Sequence, residues 1–243
     1  MQNNPLLQPI MSTCTSLLET ITQKISVVEG KGVWLQDFWH AEAGTNGTIL
    51  TLENANIFEK AMAESYSCNN TDCRSAGFTL ALHPHHPLVP VWICQLHFYL
   101  SEKGTVQYRG NLIQYSYAPA GWMPSEAITS STDIGSLLLQ QLKSELVGPS
   151  ILQITSSRGA DSSQQSTLPE LLNKLMRLLM DQYLEIVNEL QDKPTDAAMK
   201  KAHHQQRLEW NRFLQEEENK ANWKPSHSFP KVSREMIYAP AND

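Results

Sequence analysis

The chain has 243 residues, 41% of them hydrophobic, and a formal net charge of −6. That length supports one large domain or two small ones around a packed core. No block of Lys and Arg follows a phosphate backbone, which argues against nucleic acid as a partner, and no apolar run approaches the roughly 18 residues of a membrane span.

Residues 10 to 29 have helical spacing, with Ile10, Leu17, Leu18, Ile21 and Ile25 on one side and charged residues opposite. Gly30 and Gly32 stop that helix. From Val33 to about Tyr117 the pattern changes to short runs rich in β-branched and aromatic residues, around 48–52, 78–82, 91–100 and 106–117. Turn residues separate them at Gly44-Thr45-Asn46-Gly47, Glu53-Asn54 and Glu102-Lys103-Gly104. The last of these turns predicts an antiparallel hairpin, and five or six strands in succession predict a meander.

After Pro124 the chain returns to helical patterning. Asp133 is placed to cap a helix to about Leu146, and a Ser-, Gln- and Gly-rich segment at 155–167 reads as a flexible loop. Residues 168 to 190 are strongly amphipathic. Pro194-Thr195-Asp196 breaks that helix and begins another, which runs to about Lys220, and a proline-containing tail follows from Trp223. The expectation is one α+β domain over 1–243: an N-terminal helix (1–32), a sheet (33–120), helices (125–222) and a tail (223–243). Both faces of the central antiparallel sheet need covering by helices.

Cys14, Cys68, Cys73 and Cys94 have no metal-site spacing. Cys68 and Cys73 lie close enough for a disulfide. The N-terminus carries no secretory signal, so the alternative is four free thiols in a cytoplasmic protein.

Candidate chemistry gathers in the middle of the chain. Four of the eight histidines fall between His83 and His97, and prolines at 84, 87 and 90 hold the backbone extended there. His83, His85 and His86 allow three readings: metal ligands, a pocket rim that hydrogen-bonds a ligand acid group, or a solvated turn. Beyond Pro90, alternation puts Val91, Ile93, Gln95, His97 and Tyr99 on one face and Trp92, Cys94, Leu96 and Phe98 on the other. The second set is apolar and should meet a helix layer. The first set has the pattern of a pocket floor with a few polar groups, or of an edge strand with one wet face. If 58–67 is a strand, Glu64 shares a face with Phe58, Lys60, Met62 and Tyr66. A carboxylate in such surroundings could hold a raised pKa and donate a proton, or it could be an ordinary exposed glutamate. In the C-terminal helix His203 and Arg207 are four apart and share a face, so they meet either acidic ligand groups or solvent. No glycine-rich nucleotide loop, Gly-x-Ser-x-Gly elbow, His-Glu-x-x-His or paired Cys-x-x-Cys is present, which leaves NAD, ATP and zinc enzymes poorly supported.

Two related families resemble this chain. Phe58-Glu59-Lys60-Ala61 followed by Leu82-His83-Pro84-x-x-Pro87-x-Val89-Pro90 is similar to oxygen-dependent coproporphyrinogen oxidase, over roughly residues 10 to 120. The chain departs from that family at Ile93 and Gln95, where the family has His and Asn, and at His97, where it has Arg. It also lacks counterparts of the family's later Gly-Gly-Gly-x-Asp-Leu-Thr-Pro and His-Arg-Gly-Glu segments. The ferredoxin-dependent bilin reductases resemble the whole chain better, in length and in order of elements. Pro87-Leu88-Val89-Pro90-Val91-Trp92-Ile93-Cys94-Gln95 looks like their Pro-Leu-x-x-Leu-Pro-Leu-x-Gly-x-Asp stretch, with Gln95 standing where they have a catalytic Asp. Glu64 follows Phe58 and Lys60 as their proton-donating Glu does, and His83 falls a few residues late for their His.

The second resemblance implies a three-layer α/β/α sandwich around an antiparallel sheet of six or seven strands. A bilin such as biliverdin would lie between the sheet and the C-terminal helices. Electrons would come singly from an external reduced [2Fe–2S] ferredoxin, with no tightly bound cofactor, no metal and a monomeric protein. Glu64, His83 and Gln95 would form the catalytic set, although Gln95 can only hydrogen-bond pyrrole N–H and lactam oxygen and cannot donate a proton as Asp does. His85, His86, Ile93 and His97 would contact the substrate from the sheet, and His203, Arg207 and Asn211 from the last helix. The alternatives are a non-catalytic tetrapyrrole carrier, a porphyrinogen decarboxylase and an unrelated interaction domain.

Overall fold

The computed structural model describes residues 7–40, 44–69, 74–100, 106–115, 144–148, 151–155 and 168–219. Helix α1 (Gln8–Glu29) forms where the apolar spacing predicts it. It has a proline in its first turn and ends at Gly30, whose φ of 75° is the left-handed conformation of a helix C-cap. The strands are β1 (Val33–His40), β2 (Thr45–Glu53), β3 (Phe58–Asn69), β4 (Arg74–Pro84), β5 (Val91–Leu100), β6 (Val106–Tyr115), β7 (Ser144–Gly148) and β8 (Ile151–Thr155), and helices α2 (Leu168–Leu190) and α3 (Ala197–Asn219) follow. The architecture is mixed α+β on an antiparallel sheet, in the order β1-β2-β3-β4-β5-β6-β8-β7.

The meander expected from the sequence is β1 to β6. The hairpin pairing brings Leu100 opposite Val106; its turn residues lie outside the described ones. The expectation of helices over 125–222 fails in part. The helix predicted from Asp133 to Leu146 is replaced at its C-terminal end by β7, and Ile151–Thr155, inside the same stretch, is β8. Leu152, Ile151 and Ile154 suit a pleated surface, and β8 pairs with β6 from Arg109↔Thr155 to Ile113↔Ile151. Pairing with an available sheet edge thus overrides the local spacing. These two strands bring the count among the described residues to eight, against the six or seven expected. The remainder of the predicted helix and loop, the tail and Cys73 lie outside the described residues.

Strand alternation divides the sheet into two unlike faces. On the first, Ala61 and Ala63 of β3, Ala76, Phe78, Leu80 and Leu82 of β4, and Trp92, Cys94, Leu96 and Phe98 of β5 join the buried faces of α1 and α2 in one apolar cluster. This is the helix-facing set expected for β5. Trp92 stacks on Tyr183 of α2 with ring centroids 5.2 Å apart, and the Tyr183 hydroxyl donates to the Pro90 carbonyl at 2.9 Å. Burial pushes the Tyr183 phenol well above its usual pKa, as it does the Cys94 thiol, which lies 3.6 Å from Met176 Sδ. Each large side chain so buried contributes about 1.5–3 kcal/mol of transfer free energy. Among the described residues no helix is long and apolar enough to cross a membrane.

The last residue of α1 fixes where β3 begins. Glu29 is buried, and its carboxylate accepts the backbone N–H groups of Asn56, Ile57 (2.9 Å) and Phe58 (3.3 Å). A carboxylate at a helix C-terminus opposes the helix dipole, and these charge-assisted bonds offset that cost. Immediately afterwards the ladder shifts register between Phe58 and Lys60, which makes Glu59 the extra residue of a bulge. Glu29→Ala should therefore lower the unfolding free energy by about 3 kcal/mol, since it strands several N–H groups at once, and Glu29→Gln by less. Urea denaturation monitored by Trp fluorescence checks this, and a loss below about 1 kcal/mol would mean that water replaces the carboxylate.

Candidate functional site

The second face of the sheet carries polar side chains in its interior. Antiparallel register aligns Glu64 with Thr79, Thr79 with Gln95, and Gln95 with Asn111. Glu64 and Thr79 are fully buried, and Gln95 is 2% exposed. Glu64 and Gln95 are two strand spacings apart, roughly 10 Å between Cα atoms, with the Thr79 hydroxyl between them. Thr79 Oγ1 and Gln95 Nε2 have no hydrogen-bond partner among the described residues. Along one side of this polar row run Met62, Ala81 and Ile93, all buried, so Ile93 belongs to an apolar strip.

On the other side of the row Tyr66 and His97 both pair with Gly77. The Tyr66 ring lies across that glycine, and a Cβ there would sit 2.2 Å from the ring. The space lets Tyr66 Oη reach His97 Nδ1 at 2.5 Å from two strands away. His97 also stacks on Tyr99, with centroids 6.4 Å apart. His83 is buried on this same face opposite Lys60, beyond the apolar strip from His97. Six residues of β4 separate it from Gly77, roughly 20 Å.

Helix α3 meets the His83 end. Arg207 Nη2 donates to Glu59 Oε1 at 3.0 Å, at the bulge. His203, one turn earlier, is buried, and its imidazole is pulled down from 6.5 to about 4. Burial is the largest cause, followed by the Arg207 charge and then His86, His204 and His85. His86 Nδ1 accepts the Leu88 N–H at 3.2 Å, so the ring proton sits on Nε2 and is donated to the Lys193 carbonyl at 2.7 Å. Both His86 nitrogens thus join the β4–β5 turn to the α2–α3 connection. His85 is exposed beside it, and Asn211 is half-buried one turn beyond Arg207.

The structure therefore brings His85, His86, His203 and Arg207 together across more than a hundred residues of sequence. It keeps Glu64 and Gln95 in the middle of the sheet and His97 at the far side. Sequence reasoning missed Tyr66, Gly77, Thr79, His204 and Glu59. Period-two counting from Glu64 reaches Tyr66, and from Gln95 the pairing reaches Thr79; nothing in the sequence announces the bulge that turns Glu59 towards Arg207. A separate cleft of about 360 Å³ lies on the helix-facing side, between α1 and the ends of β1 to β3, where Met11, Cys14, Phe38, His40 and Ser65 line it. None of the sequence-predicted site residues borders it. Burial raises its Cys14 thiol to about 12, so that sulfur stays protonated.

No family model matches the chain.

Two outcomes follow from this geometry. Gly77→Ala should displace the Tyr66 ring, break its bond to His97 and cost about 1–3 kcal/mol through overpacking. Thermal unfolding and the His97 ring-nitrogen NMR shifts would both register it. The folded-state pKa of His203 lies below its unfolded value, so the unfolded chain binds this proton first on acidification. The stability linked to His203 should be complete above pH 6.5 and lost as pH falls towards about 4. Urea titrations across that window should show His203→Gln losing less stability than the unsubstituted chain.

Proposed function

We propose that the chain binds a linear tetrapyrrole of the biliverdin type on the second face of its sheet, under α3, and reduces it with electrons from ferredoxin. The observation that carries this reading is the convergence of His85, His203, His204 and Arg207 at the edge of a polar sheet face. Those donors suit the propionates of a tetrapyrrole, and a polar row of Glu64, Thr79 and Gln95 suits its pyrrole N–H groups and lactam oxygens. Helix α3 then acts as the third layer of an α/β/α sandwich, with α1 and α2 on the far face.

In this reading reduction of one double bond takes two electrons and two protons. The electrons arrive one at a time from two molecules of external reduced [2Fe–2S] ferredoxin. Glu64 supplies a proton from the polar row, and His83 supplies the second from the end beside α3. Gln95 holds the pyrrole nitrogens through its amide and donates no proton to the product.

A carrier without turnover is the second reading, and the neutral side chain of Gln95 favours it, because the resembling reductases have an ionisable Asp there. An absorbance titration with biliverdin followed by anaerobic addition of reduced ferredoxin separates the two. Saturable one-to-one binding, a transient radical band and a shifted product spectrum are expected. Glu64→Gln should slow the shift by about 10²-fold or more without abolishing binding, and Arg207→Leu should weaken binding by about tenfold through loss of a charge-assisted bond. Binding with an inert spectrum would identify a carrier. No binding would overturn both readings.

A further inference from the structure

Among the described residues, the first strand of the sheet is an uncovered edge. β1 pairs with β2 through eight unbroken residue pairs, from Val33↔Glu53 to His40↔Asn46, and no other described strand borders it. Edge strands are ordinarily blunted by Lys, Pro, a bulge or brevity. β1 has none of these. Its sequence is Val33-Trp34-Leu35-Gln36-Asp37-Phe38-Trp39-His40, with Asp37 as its one carboxylate. Val33, Leu35 and Phe38 are 54, 46 and 71% exposed. A long, regular strand with large apolar side chains in solvent is a template for another strand.

We infer that β1 pairs antiparallel with β1 of a second copy of this chain, about a two-fold axis at Gln36, to make one continuous sheet across a dimer. Three features select that occupant and that register. First, directly opposed residues of an antiparallel pair must share a face, which restricts the axis to positions on a residue rather than between two. Second, an axis at Asp37 would oppose its carboxylate to its own copy, with Cβ atoms about 5 Å apart, an unfavourable like-charge pair. Third, an axis at Gln36 sets a neutral amide against its copy and gives complementary contacts on both faces. On the helix-facing side Trp34 opposes Phe38 of the second copy, twice by symmetry. On the other side Val33 opposes Trp39 and Leu35 opposes Asp37. Aromatic and aromatic–aliphatic cross-strand pairs of this kind stabilise a ladder, and the strongly exposed Phe38 gains a ring to pack against. The interface is isologous and closes at two, in contrast to the monomer implied by the reductase resemblance.

Size-exclusion chromatography with light scattering on the full chain, run as a dilution series, tests the assembly. Three variants test the surface and register. The expected mass at the higher concentrations is twice 27.4 kDa, falling towards a single chain on dilution. Phe38→Lys should be monomeric throughout with an unchanged far-UV circular dichroism spectrum, because that side chain is mostly in solvent in the single chain. On the axis the two Gln36 Cα atoms come within about 5.5 Å, inside disulfide range. Gln36→Cys should therefore cross-link into a dithiothreitol-reversible dimer under mild oxidation. The two Asp37 Cα atoms are roughly 8 Å apart in that register, beyond the reach of a disulfide, so Asp37→Cys should cross-link no more than the unsubstituted chain. A single-chain mass at every concentration overturns the proposal. So do assemblies that grow beyond two copies, a dimer indifferent to Phe38→Lys, and equal cross-linking of the two cysteine variants.

Discussion

The grip of the Glu29 carboxylate on the first backbone amides of β3 is the constraint on which the rest of the sheet depends. A strand has only two ways to face, and a slip of one residue exchanges them. By holding Asn56, Ile57 and Phe58 against the end of α1, Glu29 fixes the point from which β3 is counted. Phe58 then enters the apolar cluster, the bulge at Glu59 takes up one residue, and Ala61 and Ala63 return to that cluster. Met62, Glu64 and Tyr66 are left on the opposite face. Since β4 and β5 pair in order from β3, their alternation follows, and Thr79 and Gln95 fall beside Glu64.

That allocation separates stability from chemistry. The helix-facing side is apolar at its centre across β3, β4 and β5, and it packs Trp92, Phe78 and Phe98 against α1 and α2. The opposite side is just as deeply buried at its centre, yet it holds a carboxylate, a hydroxyl and an amide in one row. Thr79 Oγ1 and Gln95 Nε2 have no hydrogen-bond partner among the described residues, at about 1–3 kcal/mol each, and Val, Ile or Leu at those two positions would fit the pleat without that cost. Where local rules are broken in the middle of an otherwise consistent sheet, a functional site is the usual reason.

The sequence made some of this legible and concealed the rest for physical reasons. The period of α1, its stop at Gly30 and the two faces of β5 depend on local spacing, and the structure follows them. Gln95 and His97 were assignable to the polar face because period-two alternation needs only one reference residue. What spacing cannot reveal is which distant element arrives at a given residue. The pairing of β8 with β6 depends on a free sheet edge, and so a segment read as helix becomes β7. The meeting of His203 with His85 and His86 depends on the angle between α2 and α3, which the His86 bond to the Lys193 carbonyl helps set. The reach of Tyr66 to His97 depends on the absent side chain of Gly77. In each case the informative feature belongs to a pair of residues rather than to either one.

The histidine cluster shows how such a pairing changes the meaning of its members. Read separately, four histidines suggest four titrating groups near neutral pH. Packed together beside Arg207, they interact, and the buried member yields: His203 is neutral down to about pH 4. His86 is committed to two backbone partners through opposite nitrogens. At this end of the sheet Arg207 contributes a guanidinium, while neutral His203 offers hydrogen bonding. An anionic group entering here would meet the Arg207 guanidinium, already shared with Glu59, with several imidazoles beside it. Selectivity for such a group would then rest on the spacing of these donors.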